Sequence, residues 1–93
     1  MNAANWTRAA QADVARIDDF YFPISSEFAD RLGEAALRAA SFLAEYPRAG
    51  SPFRNGTRKW RIASFDFVLI YRIGPSGIEI LRMRHASENW QAE

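Results

Sequence analysis

The spacing of the apolar residues changes at about Thr57, and this change divides the chain into a helical part and a strand part. Before Thr57 the apolar residues recur every three or four positions, which is the period of an amphipathic helix. After Thr57 they alternate with polar residues or form short apolar runs, as in strands. A chain of 93 residues can form one core of helices on a sheet. We therefore predict a single α+β domain over residues 1–93, with a helical hairpin packed on a mostly antiparallel sheet.

The first helix is predicted to begin after Thr7, because threonine is a good N-cap residue. Its apolar face is formed by residues spaced at i, i+4, i+7 and i+11, namely Ala10, Val14, Ile17 and Tyr21. Asp13, Arg16 and Asp19 fall outside this apolar face. Pro23 lacks a backbone donor and ends the helix.

The second helix is predicted to begin at Ser25 or Ser26 and to run to about Tyr46. Glu27 and Asp30 lie in its first turn, where carboxylates complement the helix dipole. Its predicted apolar stripe consists of Phe28, Leu32, Ala35, Ala39, Phe42, Leu43 and Tyr46. Because the link at Pro23 is short, the two helices should form an antiparallel hairpin.

Three strands are predicted after Thr57, and the middle one is apolar on both faces, which places it at the centre of the sheet. One face of this strand carries Phe65, Phe67, Leu69, Tyr71 and Ile73, and the other carries Val68 and Ile70. In the last strand, Leu81, Met83 and His85 share one face, and Ile78, Ile80, Arg82 and Arg84 share the other. We expect the helices to cover the first face and to leave Arg72, Arg82 and Arg84 on an open second face.

The composition excludes several kinds of site. The chain has no cysteine and one histidine, so we expect no disulfide, no thiolate chemistry, no metal site and no cofactor. The N-terminal residues lack the pattern of a signal peptide, and no apolar run approaches the roughly 20 residues that span a bilayer. A cytoplasmic protein without a membrane partner is predicted.

Charge is unevenly distributed along the chain, although the net charge is only +1. Residues 1–47 contain four basic and seven acidic side chains, whereas residues 48–93 contain eight basic and four acidic ones. Arginine recognises carboxylates, phosphates and partner proteins in preference to lysine. The second part of the chain is therefore expected to present a basic surface.

Five short motifs occur in order along the chain. They are Trp6-Thr-x-x-Ala10 followed by Asp13 and Ile17; Tyr46-Pro47-x-x-Gly50; Arg58-Lys-Trp-Arg61; Phe67-Val-Leu-Ile-Tyr71-Arg72; and Ile78-x-Ile-Leu-Arg82 followed by His85-Ala-x-x-x-Trp90. From about Trp6 to Trp90, this order resembles the RelE/ParE superfamily of toxins from type II toxin–antitoxin modules. The resemblance implies an N-terminal strand, two helices and a mostly antiparallel sheet. It also implies a cognate antitoxin that binds and neutralises the protein in a toxin–antitoxin hetero-oligomer. Family members usually open with a longer strand than residues 1–5 provide, so a short or frayed first strand is expected.

Two activities are implied by this resemblance. RelE-like members cleave messenger RNA on the ribosome, for which the candidate catalytic residues would be Arg61, Arg72, Arg82 and His85. ParE-like members inhibit DNA gyrase by binding, with no catalytic residue. The tail after the last strand contains no tyrosine to act in RNA cleavage, and its ending from His85 to Trp90 is more similar to that of ParE. We therefore favour a ParE-like gyrase inhibitor over a RelE-like endoribonuclease. A member that has lost toxicity is the third possibility.

The candidate target- or partner-binding residues are Arg54, Arg58, Lys59, Arg61, Arg82, Arg84 and Trp90. Each has a structural alternative: positive charge protects a strand edge from aggregation, and Arg82 and Arg84 could pair with Asp66 and Glu79. Trp60 could anchor a partner. Strand parity places His85 under the helices, and we expect Trp6 and Tyr71 in the core.

Overall fold

The computed structural model of the protein describes residues 3–87. Its elements are β1 (Ala4–Trp6), α1 (Arg8–Tyr21), α2 (Ser26–Glu45), β2 (Ser51–Pro52), a 3-10 turn (Arg54–Gly56), β3 (Arg58–Arg61), β4 (Phe67–Gly74) and β5 (Gly77–His85). The strands form one sheet in the order β1-β5-β4-β3-β2. Strand β1 runs parallel to β5, and the other neighbouring strands are antiparallel. The predicted α+β arrangement with a short first strand is confirmed.

Both helices begin where their capping residues predict. The Thr7 hydroxyl accepts a hydrogen bond from the Ala10 N–H at 3.1 Å, and the Ser25 hydroxyl accepts one from the Phe28 N–H at 3.2 Å. The turn between the helices contains Pro23, and the N–H groups of the two residues after it both donate to the Tyr21 carbonyl. The hairpin is therefore closed by hydrogen bonds within its own backbone.

The stripe predicted for α2 is wrong at its C-terminal end. Phe42 and Tyr46 are 41% and 61% exposed. The face of α2 that meets the core instead consists of Ala29, Leu32, Ala36, Ala40, Leu43 and Ala44. Small side chains thus form most of this contact, and the Phe42 ring instead packs against those of Tyr46 and Trp60.

Tyr71 lies at the centre of the core, as predicted, and is completely buried. Its hydroxyl donates to the Pro47 carbonyl at 2.7 Å and accepts from the Gly50 N–H at 2.9 Å. These two bonds fix the segment between α2 and β2 against the sheet. Trp6 packs against the same core from the side and is partly buried.

A β-bulge at Leu81 changes which face each residue of β5 occupies. Tyr71 pairs with Ile80, but its neighbour Ile70 pairs with Arg82, so Leu81 has no partner on β4. Directly opposed residues share a face of the sheet. The helix-covered face of β5 therefore carries Ile78, Ile80, Met83 and His85, and the other face carries Glu79, Arg82 and Arg84. The predicted grouping of Ile78 and Ile80 with the two arginines is wrong, because strict alternation does not allow for the extra residue.

Candidate functional site

Two rows of residues cross the uncovered face of the sheet from β3 to β5. One row joins Lys59, Ile70 and Arg82, and the next joins Arg61, Val68 and Arg84. Each row has an apolar residue at its centre and a cation at either end, and Val68 and Ile70 are 7% and 9% exposed. Arg72 lies on the same face beside β5. We call this surface the basic face; its cations are Lys59, Arg61, Arg72, Arg82 and Arg84.

Two of the basic-face arginines form exposed ion pairs. Arg72 Nε lies 2.6 Å from Glu79 Oε1, and the Arg61 guanidinium pairs with Asp66. The alternative in which these two carboxylates pair with Arg82 and Arg84 is therefore wrong. Exposed ion pairs contribute less than about 1 kcal/mol to stability, so a partner's carboxylate can replace these contacts at little cost.

Arg82 is held by a different carboxylate, that of Asp13 on α1. Its Nε donates to Asp13 Oδ2 at 2.8 Å, and its Nη2 donates to Oδ1 at 3.0 Å. The Asp13 side chain is 1% exposed, and it also accepts hydrogen bonds from the Met83 N–H and from Arg16, both at 2.9 Å. Burial raises the pKa of Asp13, but the hydrogen bonds from Arg82, Met83 and Arg16 outweigh it, so the pKa lies below its ordinary value of 3.8.

The position of Asp13 follows from the short length of β1. Strand β1 ends at Trp6, so beyond that point no strand from the described part of the chain lies beside the edge of β5. The Thr7 hydroxyl donates to the Leu81 carbonyl at 3.0 Å, and Asp13 accepts from the next edge N–H, that of Met83. The helical spacing places Asp13 outside the apolar face of α1 and does not predict its burial. Its partners on β5 are about 70 positions away, and no local pattern reports such a contact.

The basic cluster predicted around β3 is divided by the sheet. Arg58 is directly opposite Tyr71 and therefore lies on the helix-covered face, where its Nη1 donates to the Gly50 carbonyl at 2.6 Å. Arg54 and Lys59 approach the ring of Phe53, at 5.2 and 5.4 Å from its centroid. Of the predicted β3 cluster, Lys59 and Arg61 belong to the basic face, and Arg58 supports the β2 segment.

The predicted aromatic anchors have different positions. Trp60 is half-buried on the helix-covered side, where its ring stacks on that of Phe42 with 5.3 Å between the centroids. Trp60 therefore packs within the chain. Trp90 lies outside the described residues, and its predicted role in binding stays a prediction.

His85 lies on the helix-covered face, as strand parity predicts, and is half-buried. It is opposite Phe67, and the two ring centroids are 5.0 Å apart with the planes at 81°. Its Nδ1 is 3.1 Å from the Ser87 N–H and 2.7 Å from the Ser87 hydroxyl oxygen. The candidate catalytic set is thus divided, because Arg61, Arg72 and Arg82 are on one face of the sheet and His85 is on the other.

Residues 3–87 contain no candidate metal site and no candidate membrane span. Within residues 3–87, no three side chains of histidine, cysteine, aspartate or glutamate are grouped so that they could hold a metal ion. Neither helix of that range combines the length and the apolar character that a membrane span requires.

Comparison with known proteins places the chain in a family. The model described as "ParE toxin of type II toxin-antitoxin system, parDE" matches residues 4–90. This chain belongs to the ParE toxin family. The predicted superfamily is therefore confirmed. Toxin RelE2 of Caulobacter vibrioides is similar to this ParE-family chain, with 32% identity over 82 residues that make up 88% of this chain and 92% of the relative.

Solved structures of toxin–antitoxin systems have the same fold. The chromosomal ParDE TA system from P. aeruginosa contains a chain that matches with a TM-score of 0.82 and 26% identity, over 94% of this ParE-family chain and 98% of its counterpart. The RelBE2 toxin-antitoxin complex from Mycobacterium tuberculosis matches with a TM-score of 0.59 and 24% identity, over 94% of this chain and 93% of its counterpart. The second likeness concerns the fold alone.

Proposed function

We propose that this toxin-family chain inhibits DNA gyrase by binding it, and that a cognate antitoxin neutralises the chain in a hetero-oligomer. The observation that carries the choice of binding over catalysis is the separation of His85 from the basic face. Cleavage of RNA through the ribose 2′-OH needs a proton acceptor beside the groups that hold the phosphate. In this chain the sheet lies between His85 and the arginines that would hold the phosphate.

The carboxylates on the basic face are poor substitutes for such a base. Glu79 is bound by Arg72 and Asp66 is bound by Arg61, so each carboxylate occupies an arginine that the phosphate would need. A transesterification without its base loses a factor of about 10² to 10⁴ in rate. Inhibition by binding requires no such group.

The proposal of an antitoxin partner is supported by the similar solved structures, which are toxin–antitoxin systems. We assign the basic face to this partner. A disordered acidic segment could fold across it, with carboxylates at the ends of the two cation rows. Arg54 extends the positive charge toward β2. Arg58 and Arg82 support antitoxin binding by holding the site in shape. Both side chains already bind partners within the chain, Arg58 the Gly50 carbonyl and Arg82 the Asp13 carboxylate.

A RelE-like endoribonuclease is the second candidate, and the relationship to Toxin RelE2 of Caulobacter vibrioides favours it. One experiment separates the two activities. The purified chain is added to a gyrase supercoiling assay and, in parallel, to a translation extract whose messenger RNA is then mapped for cleavage. We expect supercoiling to be inhibited and the RNA to stay intact. Codon-spaced cleavage that disappears in His85→Ala would replace the gyrase proposal with the ribonuclease one.

A further inference from the structure

The last turn of α1 and the link after it expose three large apolar side chains within positions 20–24. Phe20, Phe22 and Ile24 are 63%, 51% and 69% exposed. Two carboxylates, those of Asp18 and Asp19, directly precede them and are also exposed. We call Asp18, Asp19, Phe20, Phe22 and Ile24 the hairpin tip. Such a concentration of exposed apolar surface marks a contact site rather than ordinary solvent-facing surface.

The hairpin tip has a fixed shape. Tyr21 fixes the backbone of the tip, because its carbonyl accepts hydrogen bonds from the N–H groups of Ile24 and Ser25 at 2.9 and 2.8 Å. The Tyr21 ring is anchored inward, with its centroid 5.0 Å from that of Phe28 and 6.1 Å from that of Phe67. The Phe20 ring rests edge-on against Tyr21. Little conformational entropy is therefore lost when this tip binds a partner.

The charge at the hairpin tip is negative. The arginines nearest to it in sequence are already committed, because Arg16 pairs with Asp13 and Arg31 pairs with Glu27. Within residues 3–87, no cation forms an ion pair with Asp18 or Asp19. The tip thus combines an apolar centre with uncompensated carboxylates, which is the reverse of the basic face in charge.

This charge argues against three occupants. An acidic antitoxin segment and an anionic membrane surface would both be repelled by the two carboxylates. The tip of a second copy would be repelled in the same way. The basic face of a second copy offers no apolar pocket, because Val68 and Ile70 at its centre are already buried.

We propose that the hairpin tip docks on a basic protein surface, with Phe20, Phe22 and Ile24 as anchors in an apolar pocket rimmed by lysine or arginine. This inference rests on the proposed function, under which the surface belongs to gyrase. An enzyme that binds DNA carries basic surfaces for the phosphates, and the tip would compete for one of them. The chain then uses two separate surfaces of opposite charge, the tip for the target and the basic face for the antitoxin.

The test compares two tip variants with two controls on α2. The tip variants are Phe20→Ser/Phe22→Ser/Ile24→Ser and Asp18→Lys/Asp19→Lys. The matched controls are Leu37→Ser, which changes an equally exposed apolar residue, and Glu34→Lys, which reverses an exposed charge. For each purified protein, binding to gyrase is measured over a range of salt concentrations. Growth arrest on induction is measured in cells. Thermal unfolding reports folding, and so does co-purification with the antitoxin, which is sought as the product of the neighbouring gene.

We expect both tip variants to bind gyrase at least about tenfold more weakly and to lose growth arrest, since aromatic anchors dominate such contacts. The charge variant should also show a weaker dependence on salt. Both should unfold at the wild-type temperature and still bind the neighbouring gene product. The controls should behave as the wild type.

Three results would overturn the inference: tip variants that bind gyrase and arrest growth like the wild type, a dimer in sedimentation that depends on the tip, or tip-dependent binding to phosphatidylglycerol vesicles. A wild-type chain that arrests growth without binding gyrase would overturn the proposed target. The tip would then be judged by arrest alone: folded tip variants that no longer arrest growth would support it, and variants that still do so would refute it.

Discussion

The carboxylate of Asp13 accepts a hydrogen bond from the backbone N–H of Met83, which is 70 positions further along the chain. A side chain from a helix thereby occupies the place that a neighbouring strand would take at the edge of β5. The same carboxylate holds Arg82 by two nitrogens. One residue therefore closes the sheet edge, attaches α1 to β5 and fixes a cation of the basic face.

Replacing Arg82 should affect folding more than replacing its neighbour on the same face. Arg82→Ala removes two hydrogen bonds from a carboxylate that is 1% exposed, and we expect a loss of about 2 to 3 kcal/mol in the free energy of unfolding. Arg72→Ala is the matched control, because its partner Glu79 is 38% exposed; its cost should be less than about 1 kcal/mol. Urea denaturation measures both values, and equal costs would contradict the structural role of the Asp13–Arg82 pair.

The pH dependence of stability should reveal the ionised state of Asp13. The pKa of this carboxyl is lower in the folded protein than the ordinary 3.8, so its contribution is complete above that value and is lost as the pH falls through the folded-state pKa. Asp13→Asn carries no such group. The stability difference between wild type and Asp13→Asn should be largest near neutral pH and should shrink below about pH 4. Denaturation curves at several pH values test this, and a difference that does not change with pH would count against it.

Two glycine substitutions should have opposite effects on stability. A Cβ atom on Gly50 would lie 2.5 Å from the Tyr71 hydroxyl oxygen and 2.8 Å from the Lys59 carbonyl oxygen, so Gly50→Ala must displace a buried side chain or backbone. We expect it to destabilise the fold by about 1 to 3 kcal/mol. A Cβ on Gly33 meets nothing within 4 Å, and Gly33→Ala should stabilise α2 by about 0.5 to 1 kcal/mol. Thermal melting of the two variants checks the pair, and a stable Gly50→Ala would exclude the tight contact.

Charge reversal on the basic face should weaken the antitoxin complex. Arg61→Glu places a carboxylate where a partner's carboxylate is expected, and a lost charge-assisted contact corresponds to about 1.5 to 3 kcal/mol, or at least tenfold in Kd. Arg8→Glu reverses another exposed charge, on α1, and serves as the control. Titration of each variant with the purified neighbouring gene product gives the affinities. If both variants bind like the wild type, the antitoxin does not use this face.

Local signals predicted most of the fold, and long-range contacts account for what they missed. Thr7 and Ser25 each cap a helix by accepting from the N–H three residues later, so both helix starts could be predicted from sequence. The change in the period of the apolar residues likewise separated helices from strands. The bulge at Leu81 depends on how β5 pairs with β4 and with β1, and a period of two cannot reveal it. The burial of Asp13 depends on where β1 stops. In the candidate site, parity placed His85 correctly, but a run of basic residues in sequence did not predict that the sheet would separate Arg58 from Lys59.

The parallel pairing of β1 with β5 has a consequence for synthesis of the protein. Residues 4–6 pair with residues 78–80, so the first strand has no partner until the ribosome has made nearly all of the described chain. The helical hairpin can form early, but the sheet beneath it cannot close before β5 has been made. A nascent chain of this family member therefore holds its helices without a completed sheet until β5 has been made, and the basic face, to which β5 contributes Arg82 and Arg84, is completed only then.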